Sequence, residues 1–165
     1  MILKRKIGVI LLIILTGILY WNYTGQFIES DANFKEFIVE RVVDGDTVVL
    51  NNSEKVRLLG INTPEKNMPL YEKAKIFLES LILNKTVFVE LVERDRYGRI
   101  LGYIFVKERH INQLILENGF GHLYYYDKDE RYDEMFKAEE FARENSLGIW
   151  GRSDHYGCLE IIQWT

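Results

Sequence analysis

Charged and amide side chains crowd the stretch VVDGDTVVLNNSEKVRLLGINTPE, which runs from Val42 to Glu65. Two parts of this stretch, VVDGDTVVL and KVRLLGI, have the β-branched and apolar composition of strands. They nevertheless carry Asp44, Asp46 and Arg57, and the second part breaks at once into N-T-P-E. Carboxylates such as those of the two aspartates and Glu65 can bind a hard cation or act as a base, and a guanidinium can bind an oxyanion. We therefore predict that a hairpin gathers these groups into one site, rather than leaving them on a solvated face.

Two arginines stand out by their position. Arg57 lies inside a strand that otherwise reads V-x-L-L-G-I, where a lone guanidinium is unfavourable unless it faces a cavity or a ligand. Arg99 follows Tyr97 and Gly98, and a turn at this point can direct its side chain back toward the mouth of the fold. Both arginines are therefore candidates for the same site.

The elements that position these residues follow from the hydrophobic periodicity. Three closely spaced strands predict a meander, and a helix with Pro69 at its start follows them. Two further strands are joined by R-D-R-Y-G-R, and Gly119 is a candidate C-cap for a short helix. The predicted strands are 37–43, 47–52, 55–61, 86–93 and 100–107, the helices 69–83, 111–118 and 130–145, and an extended segment is predicted at 123–126.

Five strands with a helix inserted after the third predict a small closed barrel. An isolated three-stranded sheet would leave its edges open, and closure removes them. The mixture of antiparallel strands and separate helices places the chain in the α+β class.

Composition limits the possible partners. The 165 residues are enough for one domain, and a content of 47% hydrophobic residues argues against disorder. Beyond residue 28 the chain carries 18 cations against 25 anions, a net charge of −7, so a general polyanion-binding surface is not expected. Cys158 is the single cysteine, which excludes an intrachain disulfide and a cysteine metal site. The three histidines have no ligand spacing.

The N-terminal segment differs from the rest of the chain. A K-R-K start precedes the apolar run IGVILLIILTGILYW, and the next charged residue is Glu29. Such a run predicts a transmembrane anchor, a cleaved signal peptide or a buried core helix. The lack of an Ala-x-Ala cleavage site and the aromatic residues Tyr20, Trp21 and Tyr23 favour the anchor, with the remaining chain outside the cytoplasm.

The predicted organisation of the whole chain has four parts. They are an anchor or signal peptide at 1–28, a linker at 29–36, a folded domain at 37–151 and a tail at 152–165.

Four motifs in order resemble the staphylococcal-type thermonuclease family. They are V-D-G-D-T-V, V-R-L-L-G-I-N-T-P-E, D-R-Y-G-R and L-G-I-W, and the resemblance runs from about Phe37 to Trp150. Each motif is short, and their order and spacing make the resemblance specific. It implies a five-stranded OB-type barrel with three helices that cleaves phosphodiester bonds of DNA and RNA with calcium.

The resemblance also implies a metal site. Asp46 matches the family aspartate that binds calcium, and Thr63 matches a residue that offers its backbone carbonyl. Asn62 departs from the family pattern, which has an aspartate ligand at this place. An amide oxygen is still acceptable to calcium, but one negative charge is lost, so weakened binding is expected. Asp44 is an outer partner in the family, and a role in the tight turn fits this residue equally well.

The remaining site residues are implied by the same resemblance. Arg57 and Arg99 match the two family arginines on the phosphate, and Glu65 matches the proposed general base or water-ordering residue. Positions that touch the nucleotide's terminal phosphate and base fall on Arg96, Tyr97 and Tyr125. For Tyr125, packing on the core is an alternative to base stacking.

These features predict a membrane-anchored, calcium-dependent nuclease that acts on DNA, RNA or both. A barrel that binds nucleic acid or protein without cleaving it is the alternative, and a structural envelope domain with vestigial residues is a third. Retention of both arginines and Glu65 favours the enzyme. The sequence indicates no obligate protein partner.

Overall fold

The computed structural model describes residues 34–125 and 130–151. The predicted membrane anchor, most of the predicted linker and the C-terminal tail with Cys158 lie outside these residues. Among the described residues, no helix is long and apolar enough to cross a bilayer.

The described residues form eight strands and three helices. The strands are β1 (Phe34–Val42), β2 (Thr47–Leu50), β3 (Lys55–Leu58), β4 (Ile61–Asn62), β5 (Thr86–Arg94), β6 (Ile100–Val106), β7 (Arg109–His110) and β8 (His122–Leu123). The helices are α1 (Tyr71–Ile82), α2 (Ile111–Glu117) and α3 (Tyr132–Glu144), and a 3-10 turn follows at Gly148–Trp150.

Five of the strands form a closed barrel. Their order is β3-β2-β1-β5-β6, and a parallel pairing of β3 with β6 completes the ring. All the other pairings within the ring are antiparallel. The predicted α+β fold, a five-stranded OB-type barrel with three helices, is confirmed for the described residues.

The length of β1 makes closure possible. Its first half pairs with β5, from Phe34 opposite Glu90, and its second half pairs with β2. The register shifts between Val39 and Arg41, which is the position of a β-bulge. A bulge bends its strand and increases the local twist, so one continuous strand can contribute to both sides of the barrel.

The core fills the barrel and the space beneath the helices. Strand residues such as Val39, Val48 and Ile104 are fully buried, and Leu78 of α1 packs with them. Asn112 of α2 is also fully buried, and its side chain accepts from the Ile104 N–H at 3.1 Å and donates to the Leu59 carbonyl at 2.9 Å. This side chain connects α2 to the two strands that close the barrel.

Element boundaries differ from the predicted ones by a few residues. β1 begins at Phe34, three residues earlier than predicted, because the pairing with β5 extends along this segment. α1 begins at Tyr71 rather than at Pro69, since Leu70 adopts a left-handed conformation with φ of 70°. Gly119 has φ of +68° just after α2, consistent with its predicted role as a C-cap.

Candidate nuclease site

The D-G-D-T turn between β1 and β2 fixes the position of Asp46. The Asp44 carboxylate accepts the Asp46 N–H at 3.1 Å, so Asp44 shapes the turn. Gly45 lies so close to Thr63 and Ala74 that an added Cβ would stand 2.7 Å from the Thr63 hydroxyl oxygen. The turn therefore has to contain glycine to pack against the loop that follows β4.

Asp46 is a buried carboxylate that accepts three hydrogen bonds and forms an ion pair with Arg57. Its side chain is 9% exposed. Oδ2 accepts from the Thr63 N–H at 3.0 Å and the Thr63 hydroxyl at 2.9 Å, and it lies 3.1 Å from Arg57 Nη2. Oδ1 accepts from the Thr47 hydroxyl at 3.1 Å. Burial raises the pKa of Asp46 to about 6, while the Arg57 guanidinium acts in the opposite direction.

Arg57 contacts Asp46 and Asn62, the two residues predicted to bind a cation through their side chains. Nη2 donates to Asn62 Oδ1 at 3.0 Å and forms an ion pair with Asp46. Nη1 donates to the Leu58 carbonyl at 2.9 Å. With only 16% of its side chain exposed, the guanidinium is held among these acceptors, as expected for an arginine that interrupts an apolar strand.

The loop of Asn62 and Thr63 is held in place by β8. Asn62 pairs with His122 in the short β4–β8 ladder, and the Tyr124 N–H donates to the Gly60 carbonyl at 3.0 Å. At Gly121 an added Cβ would stand 2.8 Å from the Asn62 carbonyl oxygen. The backbone on both sides of the ladder is thus in close contact, which restricts the movement of the predicted ligand loop.

Helix α3 supports this ladder through a buried acid. Glu139 accepts the Leu123 N–H at 2.8 Å and lies 3.2 Å from Arg143 on its own helix. The neighbouring His122 is half-buried, and this burial holds its pKa below the ordinary value even though Glu139 acts against the shift. The predicted ligand loop is therefore supported from the barrel on one side and from α3 on the other.

The second arginine is positioned by the β5–β6 turn. Arg99 Nε donates to Asp95 Oδ2 at 2.7 Å, and the Arg99 and Tyr97 N–H groups donate to Asp95 Oδ1 at 3.0 and 2.9 Å. Desolvation opposes ionisation of Asp95, but these hydrogen bonds hold its pKa below the ordinary value. Arg99 directly precedes Ile100, which pairs with Val56 in the β3–β6 closure. Closure therefore brings Arg99 to the strand that carries the other arginine.

The tip of the same turn carries an exposed aromatic side chain. Tyr97 is 69% exposed. The guanidinium carbons of Arg96 and Arg99 lie 4.8 and 5.6 Å from its ring centroid. Cations over an aromatic face hold the ring and the charges together, so the tip presents a positively charged, stackable surface.

Tyr125 has contacts with the protein that the sequence did not specify. Its hydroxyl lies 2.7 Å from the Tyr103 hydroxyl, and its ring meets Tyr132 edge-on with centroids 5.4 Å apart. Gly60 has φ of +78°, and an added Cβ there would stand 2.6 Å from the Tyr125 hydroxyl oxygen. The ring therefore packs over the β3–β4 turn at the edge of the core. This agrees with the alternative in which Tyr125 packs on the core instead of stacking on a base.

Glu65 lies in the turn that follows Thr63 and Pro64, where its backbone carbonyl accepts the Met68 N–H at 2.9 Å. Its side chain is exposed. The structure thus brings four predicted site residues into direct contact with one another, namely Asp46, Arg57, Asn62 and Thr63. Strand pairing places Arg99 beside β3. Glu65 is near these residues because it follows Thr63 by two positions in the chain.

The side-chain oxygens of two predicted cation ligands lie close together at this site. The Asp46 carboxylate and the Asn62 amide oxygen are both ligand types of calcium, and Arg57 contacts both of them. Thr63 contacts Asp46 through its N–H and its hydroxyl. Within residues 34–125 and 130–151, no three acidic, histidine or cysteine side chains gather around one point. A cation here would depend on one carboxylate and on neutral oxygens, which predicts weak binding.

Comparison with known proteins agrees with this architecture. Residues 55–152 match the family model described as staphylococcal nuclease homologue. The chain belongs to this family. It is 31% identical to a thermonuclease of Staphylococcus intermedius over 90% of this chain and 99% of the relative, and 33% identical to an uncharacterised endonuclease of Escherichia coli over 70% and 77%. An uncharacterised protein of Methanocaldococcus jannaschii is 35% identical over 82% of this chain and 80% of that protein.

For several residues of this staphylococcal nuclease homologue, the sequence analysis did not predict the contacts that they make at the site. Thr47 and the Thr63 hydroxyl both donate to Asp46, and Asp95 holds Arg99. A signal was present for Asp95, because an aspartate three residues before a glycine is typical of a turn. Glu139 had no signal, since it contacts Leu123, a residue 16 positions away in sequence.

Proposed function

We propose that this family member is a calcium-dependent nuclease that hydrolyses phosphodiester bonds of DNA, RNA or both. The observation that carries the proposal is the contact of Arg57 with Asp46 and Asn62, on the strand beside which β3–β6 closure places Arg99. A buried guanidinium beside an oxygen-rich loop is suited to an oxyanion whose charge increases during reaction. The relatives named thermonuclease and endonuclease support the same activity.

In the proposed reaction, Arg57 and Arg99 bind the non-bridging oxygens of the scissile phosphate. Two planar forks hold the phosphorus for in-line attack and stabilise the charge that develops on its oxygens. Glu65 accepts a proton from the attacking water or orders that water for attack. The bond from phosphorus to the 5′-oxygen breaks as the new bond to the water oxygen forms, and the leaving 5′-oxygen takes a proton from solvent, which gives a 3′-phosphate and a 5′-hydroxyl.

A cation bound by Asp46, Asn62 and Thr63 would supply Lewis-acid stabilisation of the phosphate charge. The protein contributes the buried carboxylate and a loop whose backbone is fixed by β8. Arg96 and Tyr97 would contact the flanking nucleotide, since an exposed tyrosine between two cations suits a base and its phosphate. Tyr125 is half-buried, so its contact with a base would be limited.

We further propose that residues 1–28 anchor the enzyme in a membrane, with the nuclease domain outside the cytoplasm. Support comes from the apolar run that follows the K-R-K start. Membrane fractionation of cells should retain the full-length chain, and added protease should reach the nuclease domain from outside. A soluble mature chain that begins after Trp21 would indicate a cleaved signal peptide instead.

The activity test uses the purified full-length chain in mild detergent with single-stranded DNA, duplex DNA and RNA. Cleavage is expected with calcium and none with a chelator, and the products should carry 3′-phosphates. The alternative, a module that binds nucleic acid without cleaving it, is favoured by the neutral Asn62 and by the engagement of Arg57 with protein acceptors. Binding without cleavage under all cation conditions would establish that alternative.

A further inference from the structure

Arg57 occupies the oxygens that the proposed cation needs. Its Nη2 lies 3.1 Å from Asp46 Oδ2 and donates to Asn62 Oδ1 at 3.0 Å. The other carboxylate oxygen, Asp46 Oδ1, accepts from the Thr47 hydroxyl at 3.1 Å. A cation that binds Asp46 and Asn62 through their side chains therefore has to compete with donors that are already in place.

The charges make this competition severe. Asp46 and Arg57 neutralise each other, and Asn62 contributes no charge, so the three side chains together offer a cation no net attraction. A divalent ion in contact with the same oxygens would lie close to the guanidinium, and like charges at such separations repel strongly where solvent is limited. The guanidinium and the cation cannot occupy these oxygens together.

We infer that Arg57 and the divalent cation exchange at Asp46 Oδ2 and Asn62 Oδ1. The guanidinium holds these oxygens in the cation-free protein and leaves them when the cation binds, which releases it toward the phosphate. The inference rests on the proposed function and deepens it, because it makes cation binding the event that frees the phosphate-binding arginine. Asn62 is then a positioning residue for Arg57 as well as a cation ligand.

The geometry of Arg57 is suited to such an exchange. Nη1 donates to the Leu58 carbonyl at 2.9 Å, a backbone contact that does not involve the exchanged oxygens. The guanidinium can therefore keep one anchor on its own strand while Nη2 changes partners. A pivot on the backbone limits the conformational entropy lost when the arginine binds its new acceptor.

Arg99 provides the matched comparison. It carries the same charge and directly precedes the residue that pairs with Val56 of β3, but its Nε donates to Asp95 rather than to Asp46. Its removal takes away a positive charge without vacating the oxygens of Asp46 and Asn62. The exchange therefore predicts different effects of the two arginines on calcium affinity, although the proposed reaction assigns both to the phosphate.

The test is calorimetric titration of the full-length chain with calcium, without nucleic acid, at about pH 8 so that Asp46 is ionised. Arg57→Ala should bind calcium at least about tenfold more tightly than the wild type, which corresponds to about 1.4 kcal/mol. Arg99→Ala should change the affinity by less than about threefold, because the charge of Arg99 is partly solvated and paired with Asp95. Circular dichroism checks that each variant is folded.

A second measurement avoids the risk that Arg57→Ala does not fold. In wild-type protein labelled with ¹⁵N-arginine, calcium should shift the Arg57 side-chain signal, whereas the Arg99 signal should stay in place. An Arg57 signal that does not move while the calorimeter records calcium binding overturns the exchange, as does an affinity in Arg57→Ala equal to or weaker than that of the wild type.

These outcomes are separable from the proposed function. Calcium-dependent cleavage by the wild type, combined with no gain of affinity in Arg57→Ala, leaves the nuclease standing and removes the exchange. If the wild type neither binds calcium nor cleaves, a gain of calcium binding in Arg57→Ala supports the exchange alone. No binding in either form overturns both.

Discussion

Thr63 donates two hydrogen bonds to one oxygen of Asp46, from its backbone N–H at 3.0 Å and from its hydroxyl at 2.9 Å. These contacts join the turn after β1 to the loop after β4, 17 residues further along the chain. Both partners are buried. A carboxylate solvated by fixed protein donors can stay in a place where an unpaired charge could not.

Replacing Thr63 by valine is expected to lower the free energy of unfolding by about 1–3 kcal/mol, because the shape is kept while the buried carboxylate loses a donor. Urea unfolding of the full-length chain measures the change. Thr86→Val, at an exposed position on β5, is the matched control and should have little effect. Equal stability of both variants would mean that the hydroxyl contributes nothing to holding Asp46.

The pH dependence of stability should reveal Asp46. Its pKa rises from 3.8 to about 6 on folding, so the folded state binds a proton more tightly than the unfolded state. This group therefore lowers the free energy of unfolding as pH rises from about 4 to about 6, by up to about 3 kcal/mol. In calcium-free buffer, the stability of Asp46→Asn relative to the wild type should improve over this range. A difference that is constant with pH would show that Asp46 keeps an ordinary pKa.

Loss of either arginine that we propose to bind the phosphate should abolish most of the activity. Arg57→Ala and Arg99→Ala are each expected to lower the cleavage rate by roughly 10³-fold or more, as for other arginines that stabilise phosphoryl transfer. Arg94→Ala is the control, because Arg94 is exposed and paired with Glu54. Cleavage at the wild-type rate by both site variants would place the reaction elsewhere on the protein.

Glu65 should affect the rate more than the binding of substrate. Glu65→Gln keeps the size of the side chain but removes the base, so the cleavage rate is expected to fall by about 10²-fold or more while the Kd for DNA changes little. Single-turnover kinetics and fluorescence anisotropy measure the two quantities. Weaker DNA binding with an unchanged rate would assign Glu65 to binding instead of proton transfer.

Asn62→Asp should tighten calcium binding and lower the calcium concentration needed for cleavage. The new carboxylate attracts both the divalent ion and Arg57, but the ion gains about twice as much because it carries twice the charge. We expect at least about a tenfold change in affinity by calorimetry. Asn52→Asp makes the same change of net charge at an exposed turn and serves as the control. Unchanged affinity in Asn62→Asp would show that residue 62 does not contact the cation.

The sequence by itself determined the strands and helices of the barrel and the candidates for the site. Alternation of apolar residues along the strands depends on local geometry, so the five strands and three helices could be predicted to within a few residues. The charged positions were visible for the same reason, because Asp46 and Arg57 interrupt segments that otherwise have to be buried. The motifs that contain them predicted the family, and the comparisons confirmed it.

Only the tertiary structure decided how these residues meet. Arg57 donates to Asn62 across the β3–β4 turn, and Thr63 donates to Asp46, which lies 17 residues earlier. Glu139 of α3 accepts a hydrogen bond from β8. Such contacts depend on strand register and on the parallel closure of β3 with β6, which no local pattern encodes. The resemblance to the family implied that Asn62 is a ligand, but its hydrogen bond to Arg57 depends on how the β3–β4 turn packs.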